Sequence, residues 1–383
     1  MKVKLSELYD IGSSKRVFQS EWRESGVPFY RAREIAKLSD DGFVDNELFI
    51  DEKLYSEYVE KYGKPESGDV MVTGVGTLGV CYVVKPKDRF YFKDGNILWF
   101  KQKAKDKILP EYLVKAFDSK EVKDFINKNS SGTTVGTFTI QTAKKMEISL
   151  PSLDEQKEII DKVTRIELII KQRKQELQLL DNLIKARFVE MFIGKDYSLI
   201  TLDDLTLGKG EYGAQSAAID YNSRRPRYVR ITDINDDGTL NNDLVSSANV
   251  EDDEQYKLSY GDFMFARMGA TVGKTYAYKS GNQIFAGYLI RYRLNLEKII
   301  PEYLYVYTKL DEYRNWVLLN QSGAAQPGIN AKKYCSLRIP VAPLEEQRVF
   351  ADFVKQVDKS KVIDMINLLK ILLFFKRGMY YGN

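Results

Sequence analysis

Histidine is absent from all 383 residues of this chain. It is the usual general base at neutral pH and the commonest metal ligand, so its absence argues against many hydrolase and metalloenzyme sites. Cysteine is nearly missing as well. Cys81 and Cys335 each sit alone in a strand-like run, so neither a disulfide framework nor a zinc site is suggested, and a reducing compartment is expected. No apolar core of signal-peptide length follows Met1, and the longest greasy run, near Leu368 to Phe375, is broken by Lys370. A cytoplasmic protein without a membrane partner is therefore expected. The hydrophobic fraction of 44% is that of an ordinary globular chain, and the length suits two or three domains. A net charge of +4 does not mark a nucleic-acid binder, because what matters is where Lys and Arg cluster.

The chain repeats itself. Leu153-Asp154-Glu155-Gln156 recurs as Leu344-Glu345-Glu346-Gln347, at an offset of 191 residues. The same offset aligns Pro110-Glu111-Tyr112-Leu113 with Pro301-Glu302-Tyr303-Leu304, and Ser131-Gly132 with Ser322-Gly323. Further upstream, Gly68-Asp69-Val70-Met71 matches Gly261-Asp262-Phe263-Met264, and Glu34-Ile35 matches Asp233-Ile234, at offsets of 193 and 199 that imply small loop insertions. Lys4-Leu5-Ser6-Glu7-Leu8 likewise resembles Thr201-Leu202-Asp203-Asp204-Leu205. Solenoid repeats run to about 20–50 residues, so this long period means a duplicated domain pair.

Each repeat ends in a long helix. Ser152-Leu153-Asp154-Glu155 has the pattern of a capping box, and no Gly or Pro follows until Gly194. Ile159, Val163, Ile166, Ile170, Leu177, Leu180, Ile184 and Met191 form a three-four stripe interrupted by Arg173 and Arg187. The second copy places Phe350, Val354, Val357, Leu368, Ile371 and Phe375 on the matching stripe, with Lys361 and Asp364 as polar exceptions. Neither helix can bury its stripe alone, and two in one chain most simply bury each other as a coiled coil. About 40 residues at ~1.5 Å each give a ruler of roughly 60 Å.

The segments before the helices mix β-rich runs (69–84, 90–102, 262–279, 284–294) with helical stretches near 110–128 and 301–320, which reads as an α+β domain made twice. Basic and aromatic residues cluster in both copies: Lys15, Arg16, Arg31 and Arg33 with Tyr30 in the first, and Arg224, Arg225, Arg227 and Arg230 with Tyr228 in the second. A lone arginine run is commonly solvated surface; its return in both halves favours DNA. Two glycine-rich loops also recur, Thr73 to Gly79 against Arg267 to Thr275, and Asn129 to Gly136 against Asn320 to Gly328. A phosphate-cradling P-loop is rejected, because Met268 stands where glycine is needed and the sister loop lacks a Gly-Lys pair. By default such glycine loops only make tight turns; the alternative, equally open, is that they bring backbone N–H groups and Thr77, Thr133, Thr134, Arg267, Lys274 and Gln326 within reach of phosphates or base edges.

Paired Leu-acid-Glu-Gln helix starts behind two variable domains, at Leu153 to Gln156 and Leu344 to Gln347, resemble the specificity subunits of type I restriction-modification systems. The resemblance covers nearly the whole chain. It implies target-recognition domains over 1–150 and 196–340, spacer helices over 151–195 and 341–383, and antiparallel packing of the helices between the two domains in a pseudo-twofold tandem repeat. It further implies that each domain reads half of a split double-stranded DNA sequence. Partner methyltransferase subunits would bind S-adenosylmethionine, and a restriction subunit, where present, would use ATP and Mg. This chain itself would hold no cofactor, metal or catalytic residue, in keeping with the lack of an Asn-Pro-Pro-Tyr-like motif and of a complete Walker A. The competing reading is a coiled-coil adaptor that joins two partners and never touches DNA.

Overall fold

Asp262-Phe263-Met264-Phe265-Ala266 is apolar at four of five positions, the pattern of a strand covered on both faces, and all five residues are buried in a strand of that extent. Phe263 and Phe265 point into one core, Met264 and Ala266 into another. In the first copy Val70–Thr73 behaves alike, with Val70 and Val72 on one side and Met71 on the other. The structure, a computed structural model of the chain, describes residues 1–130, 136–243, 245–323 and 327–380, with side chains as far as residue 370. Two units are formed, Met1–Gln172 with Leu368–Asn383, and Arg173–Asn367.

Within each unit the strands follow one plan. The first has a four-stranded antiparallel sheet in the order Tyr9–Gly12, Ile97–Gln102, Val70–Thr73, Cys81–Val83; the second repeats that order with Glu211–Tyr212, Leu289–Arg293, Asp262–Ala266, Thr275–Ala277. A short antiparallel pair closes each domain, Lys2–Lys4 on Glu147–Ser149 and Leu199–Thr201 on Arg338–Pro340. Each also has a parallel pair, Phe29 opposite Tyr91 and Tyr228 opposite Ile284. This is the expected α+β fold in two copies. The helices expected near 110–128 and 301–320 are each split in two, Pro110–Phe117 with Lys120–Asn129, and Pro301–Tyr307 with Asp311–Asn320.

Leu153–Phe192 is one helix of 40 residues, and Leu344–Tyr380 is another. The capping box is present: the Ser152 amide and hydroxyl both donate to Glu155, at 2.8 Å, while the Glu155 amide donates back to the Ser152 hydroxyl. Gly194, at φ +72°, ends the first helix in the left-handed conformation that glycine adopts without steric cost. Every apolar residue of the expected stripe, from Ile159 to Met191, is buried or half-buried while most of its helical neighbours are exposed.

Inside the second unit the two helices run antiparallel. Asp364 lies 3.3 Å from Arg173 and Lys361 2.6 Å from Asp181, while further along the Phe350 ring meets Phe188 and Phe192 at centroid separations of 5.3 and 5.5 Å. Arg173 and Asp364 are 191 residues apart, so equivalent positions of the repeat touch, as a local two-fold requires of an antiparallel pair. Of the four polar interruptions of the two stripes, Arg173, Lys361 and Asp364 therefore sit in ion pairs between the helices, and Arg187 pairs with Glu190 of its own helix. Ile371 and Phe375 of the second stripe lie beyond the described side chains.

Candidate nucleic-acid interface

One buried amide in each copy fixes the long helix to its domain. Gln156 accepts from the Leu109 amide at 2.8 Å and donates to the Lys107 and Pro151 carbonyls at 2.7 and 2.9 Å. Gln347 accepts from Ile300 at 3.1 Å and donates to Lys298 and Ala342 at 2.9 and 2.7 Å. Every partner is related by 191 residues, so this glutamine is part of the duplicated frame. Tyr112 and Tyr303 repeat the theme, their hydroxyls donating to the Ser149 and Pro340 carbonyls. The sequence displayed the recurrent Gln but not its role, which depends on a loop some 47 residues earlier in the chain.

The described parts of the glycine-rich loops meet at the end of each sheet, Gly136 beside Leu78 and Gly328 bridged to Met268. Gly74 donates to the Asn96 carbonyl at 2.8 Å and accepts from the Phe138 amide at 2.9 Å; Arg267 makes the same two backbone bonds, to Tyr288 at 3.0 Å and from Ile329 at 2.9 Å. Gly76 and Gly269 both have φ +71°. At Gly79 and Gly273, also at positive φ, a Cβ would meet Ile126 and Val317 at 2.7 and 2.8 Å, so a helix packs against bare backbone in both copies. Thr77 is exposed in the first loop, whereas Thr133, Thr134 and Gln326 lie outside the described residues.

The basic candidates separate by what already holds them. Arg31 grips Glu34 through Nε and Nη2 at 3.1 and 2.8 Å, and Arg230 grips Asp233 with the same two distances. Both carboxylates are almost wholly buried, and each also accepts the backbone amide of its arginine. Burial alone would raise the Glu34 carboxyl, but hydrogen bonds from Arg31 and Arg33 prevail and hold it down at about 2. Drawing Arg230 away to a phosphate would leave the buried Asp233 charge without its arginine, and drawing Arg31 away would leave Glu34 with Arg33 alone at 2.9 Å, which is costly. These two arginines are therefore clamps of the fold. Arg16 is exposed and pairs with the half-buried Asp94 at 2.9 Å, while Arg33 divides itself between the exposed Glu47 (2.7 Å) and the buried Glu34 (2.9 Å), so that only its Glu47 bond is readily exchanged for phosphate. Lys274 sits 2.7 Å from Asp236, an exposed carboxylate.

The remaining candidates have no carboxylate partner among the described residues. Lys15 is exposed, its ammonium 5.8 Å from the centre of the Tyr62 ring. Arg224 is exposed in a turn whose amide is held by Asn222. Arg225 donates to the Ala248 carbonyl at 3.1 Å, and Arg227 to Asn242 at 2.7 Å and to the Asn241 carbonyl. Arg267 lies with its guanidinium 4.8 Å from the centre of the Tyr212 ring. The arginine run is not gathered at one spot: Arg224 and Arg225 precede the strand Arg227–Val229, while Arg230 follows it, at the end where the Ala286 amide pairs with Val229.

The duplicated frame carrying two glycine-loop clusters agrees with known proteins. The model of the type I restriction modification DNA specificity domain matches twice, over residues 1–179 and 196–370, and the chain belongs to that family. Among curated relatives it is similar to a putative type I restriction enzyme specificity subunit of Haemophilus influenzae, 31% identical over 43% of this chain and 40% of that protein. The putative MjaX specificity subunit of Methanocaldococcus jannaschii is 23% identical over 87% of this chain and 80% of its own length. Two solved structures share the fold. The S subunit of the type I restriction-modification system from M. genitalium has a TM-score of 0.53 at 13% identity, covering 99% of this chain and 94% of that one. A structure described for complex assembly and conformational transition of the type I R-M system reaches 0.62 at 17% identity, covering 100% and 97%. Among the described residues no helix is long and apolar enough to cross a membrane.

Proposed function

We propose that the chain is the sequence-reading specificity subunit of a type I restriction-modification complex. Each recognition domain, 1–150 and 196–340, reads one half of a split duplex target through its sheet-end loops. The spacer helices, 151–195 and 341–383, set the unread gap and present surfaces to adenine methyltransferase subunits. The chain is non-catalytic. S-adenosylmethionine, ATP and Mg belong to the methyltransferase and restriction subunits, and the complex works in the cytoplasm. The observation that carries this reading is the repetition of one frame, with the same buried glutamine and the same paired glycine loops, ahead of two long helices. A single recognition domain would not need its anchoring copied residue for residue. The experiment is a footprint of the chain with its methyltransferase partner over a range of salt. Affinity should fall with rising salt in proportion to the phosphates contacted, with a logarithmic slope of about 0.9 per phosphate. An adaptor that joins two proteins would show no such slope.

A further inference from the structure

At the end of the second sheet, one side chain has no counterpart in the first. Backbone hydrogen bonds align Arg267 with Gly74. A side chain at Gly74 is barred, since its Cβ would lie 2.7 Å from Leu98 and 2.9 Å from the Phe138 carbonyl. Arg267 is held at both ends. Its backbone is bonded to Tyr288 and Ile329, and its guanidinium lies against Tyr212, whose hydroxyl in turn accepts from the Ala331 amide at 3.3 Å. The charge is uncompensated: Nε is buried without a partner, Nη2 has only the Met268 sulfur at 3.6 Å, and no carboxylate pairs with it among the described residues. Residues 324–326, outside the described residues, are Ala-Ala-Gln and include no acid. Tyr212 and Tyr288, both exposed, flank the position.

A pre-stacked, unpaired guanidinium at the rim of a recognition domain is poised to donate two parallel hydrogen bonds, and in the major groove guanine alone offers two adjacent acceptors, O6 and N7. Resting on the DNA-reading function above, we propose that Arg267 reads a guanine in the half-site of the second domain, a contact the first domain cannot make with Gly74.

The test maps methylated adenines in DNA modified by the chain together with its methyltransferase partner, for wild type, Arg267→Ala and Arg267→Lys. The wild-type motif should be split and require a guanine in one half. Arg267→Ala should lower discrimination at that guanine by about 5- to 150-fold, Arg267→Lys should lower it by less because an ammonium can reach O6 and N7 without the rigid fork, and both should leave the other half unchanged. Lysine keeps the charge but not the planar fork, so it distinguishes base reading from phosphate contact. An unchanged motif in either variant overturns the proposal. So does a loss that is uniform over all sequences, rescued by lysine and accompanied by a salt slope smaller by about one phosphate. Wild type yielding no split motif would overturn the DNA-reading function instead. Thermal melts check that each variant is folded, and Arg267→Lys alone decides if the alanine variant is not.

Discussion

Replacing Gln347, whose side chain is fully buried, with alanine would remove one amide and strand three backbone groups, Ile300 N–H and the carbonyls of Lys298 and Ala342. Unsatisfied buried groups cost about 1–3 kcal/mol each before relaxation, so Gln347→Ala should destabilise the second unit by roughly 2–4 kcal/mol, read as a lowered urea midpoint. Glu34 supplies a pH signature. Its carboxyl is held at about 2 against an ordinary 4.5, so its contribution is present above pH 4.5 and is lost as pH falls through 2. Stability followed from pH 6 to 3 should therefore decline less steeply in Glu34→Gln than in wild type. At this scale the sequence was legible in part. It located Arg31 and Arg230 by their recurrence, but their partners at i+3 turned both inward as clamps. It offered Arg267 only as one basic residue among many, because the stacking Tyr212 lies 55 positions away on another strand.

The two long helices were readable because a three-four stripe is a local signal that survives without tertiary context. Two features of them were not. Phe188 and Phe192 are fully buried beside the stripe, where the helix turns a second face toward Tyr303 of the second domain and Phe350 of the second long helix. Phe350→Ala should cost the second unit about 3–5 kcal/mol by opening a cavity among these rings. Arg173→Ala, which removes a half-buried ion pair and opens no cavity among rings, should cost about 1 kcal/mol, and calorimetry of the two variants would expose the contrast. The helices Ala32–Asp41 and Glu52–Tyr62 were likewise not anticipated. From the same arginine-to-acid cap, the second domain forms only a turn at Ile231–Asp233. There Asn235-Asp236-Asp237-Gly238 breaks the chain, with Gly238 at φ +73°, where the first domain continues through Ala36, Lys37 and Leu38 to Gly42.

For the molecule as a whole, the duplication divides what is shared from what differs. The sheet order, the glutamine anchor, the capped loops and the long helices are repeated; the segments 42–66 and 235–260, and the residue at the sheet end, Gly74 or Arg267, are not. Such a division suits a protein that must hold two readers in one frame while each reads a different half-site. The most direct measurement is a hydroxyl-radical footprint of the chain with its methyltransferase partner on DNA carrying the methylated motif. Two protected segments separated by an unread gap, both fading as salt rises, are expected. A single continuous footprint, or no protection at any salt, would contradict the account.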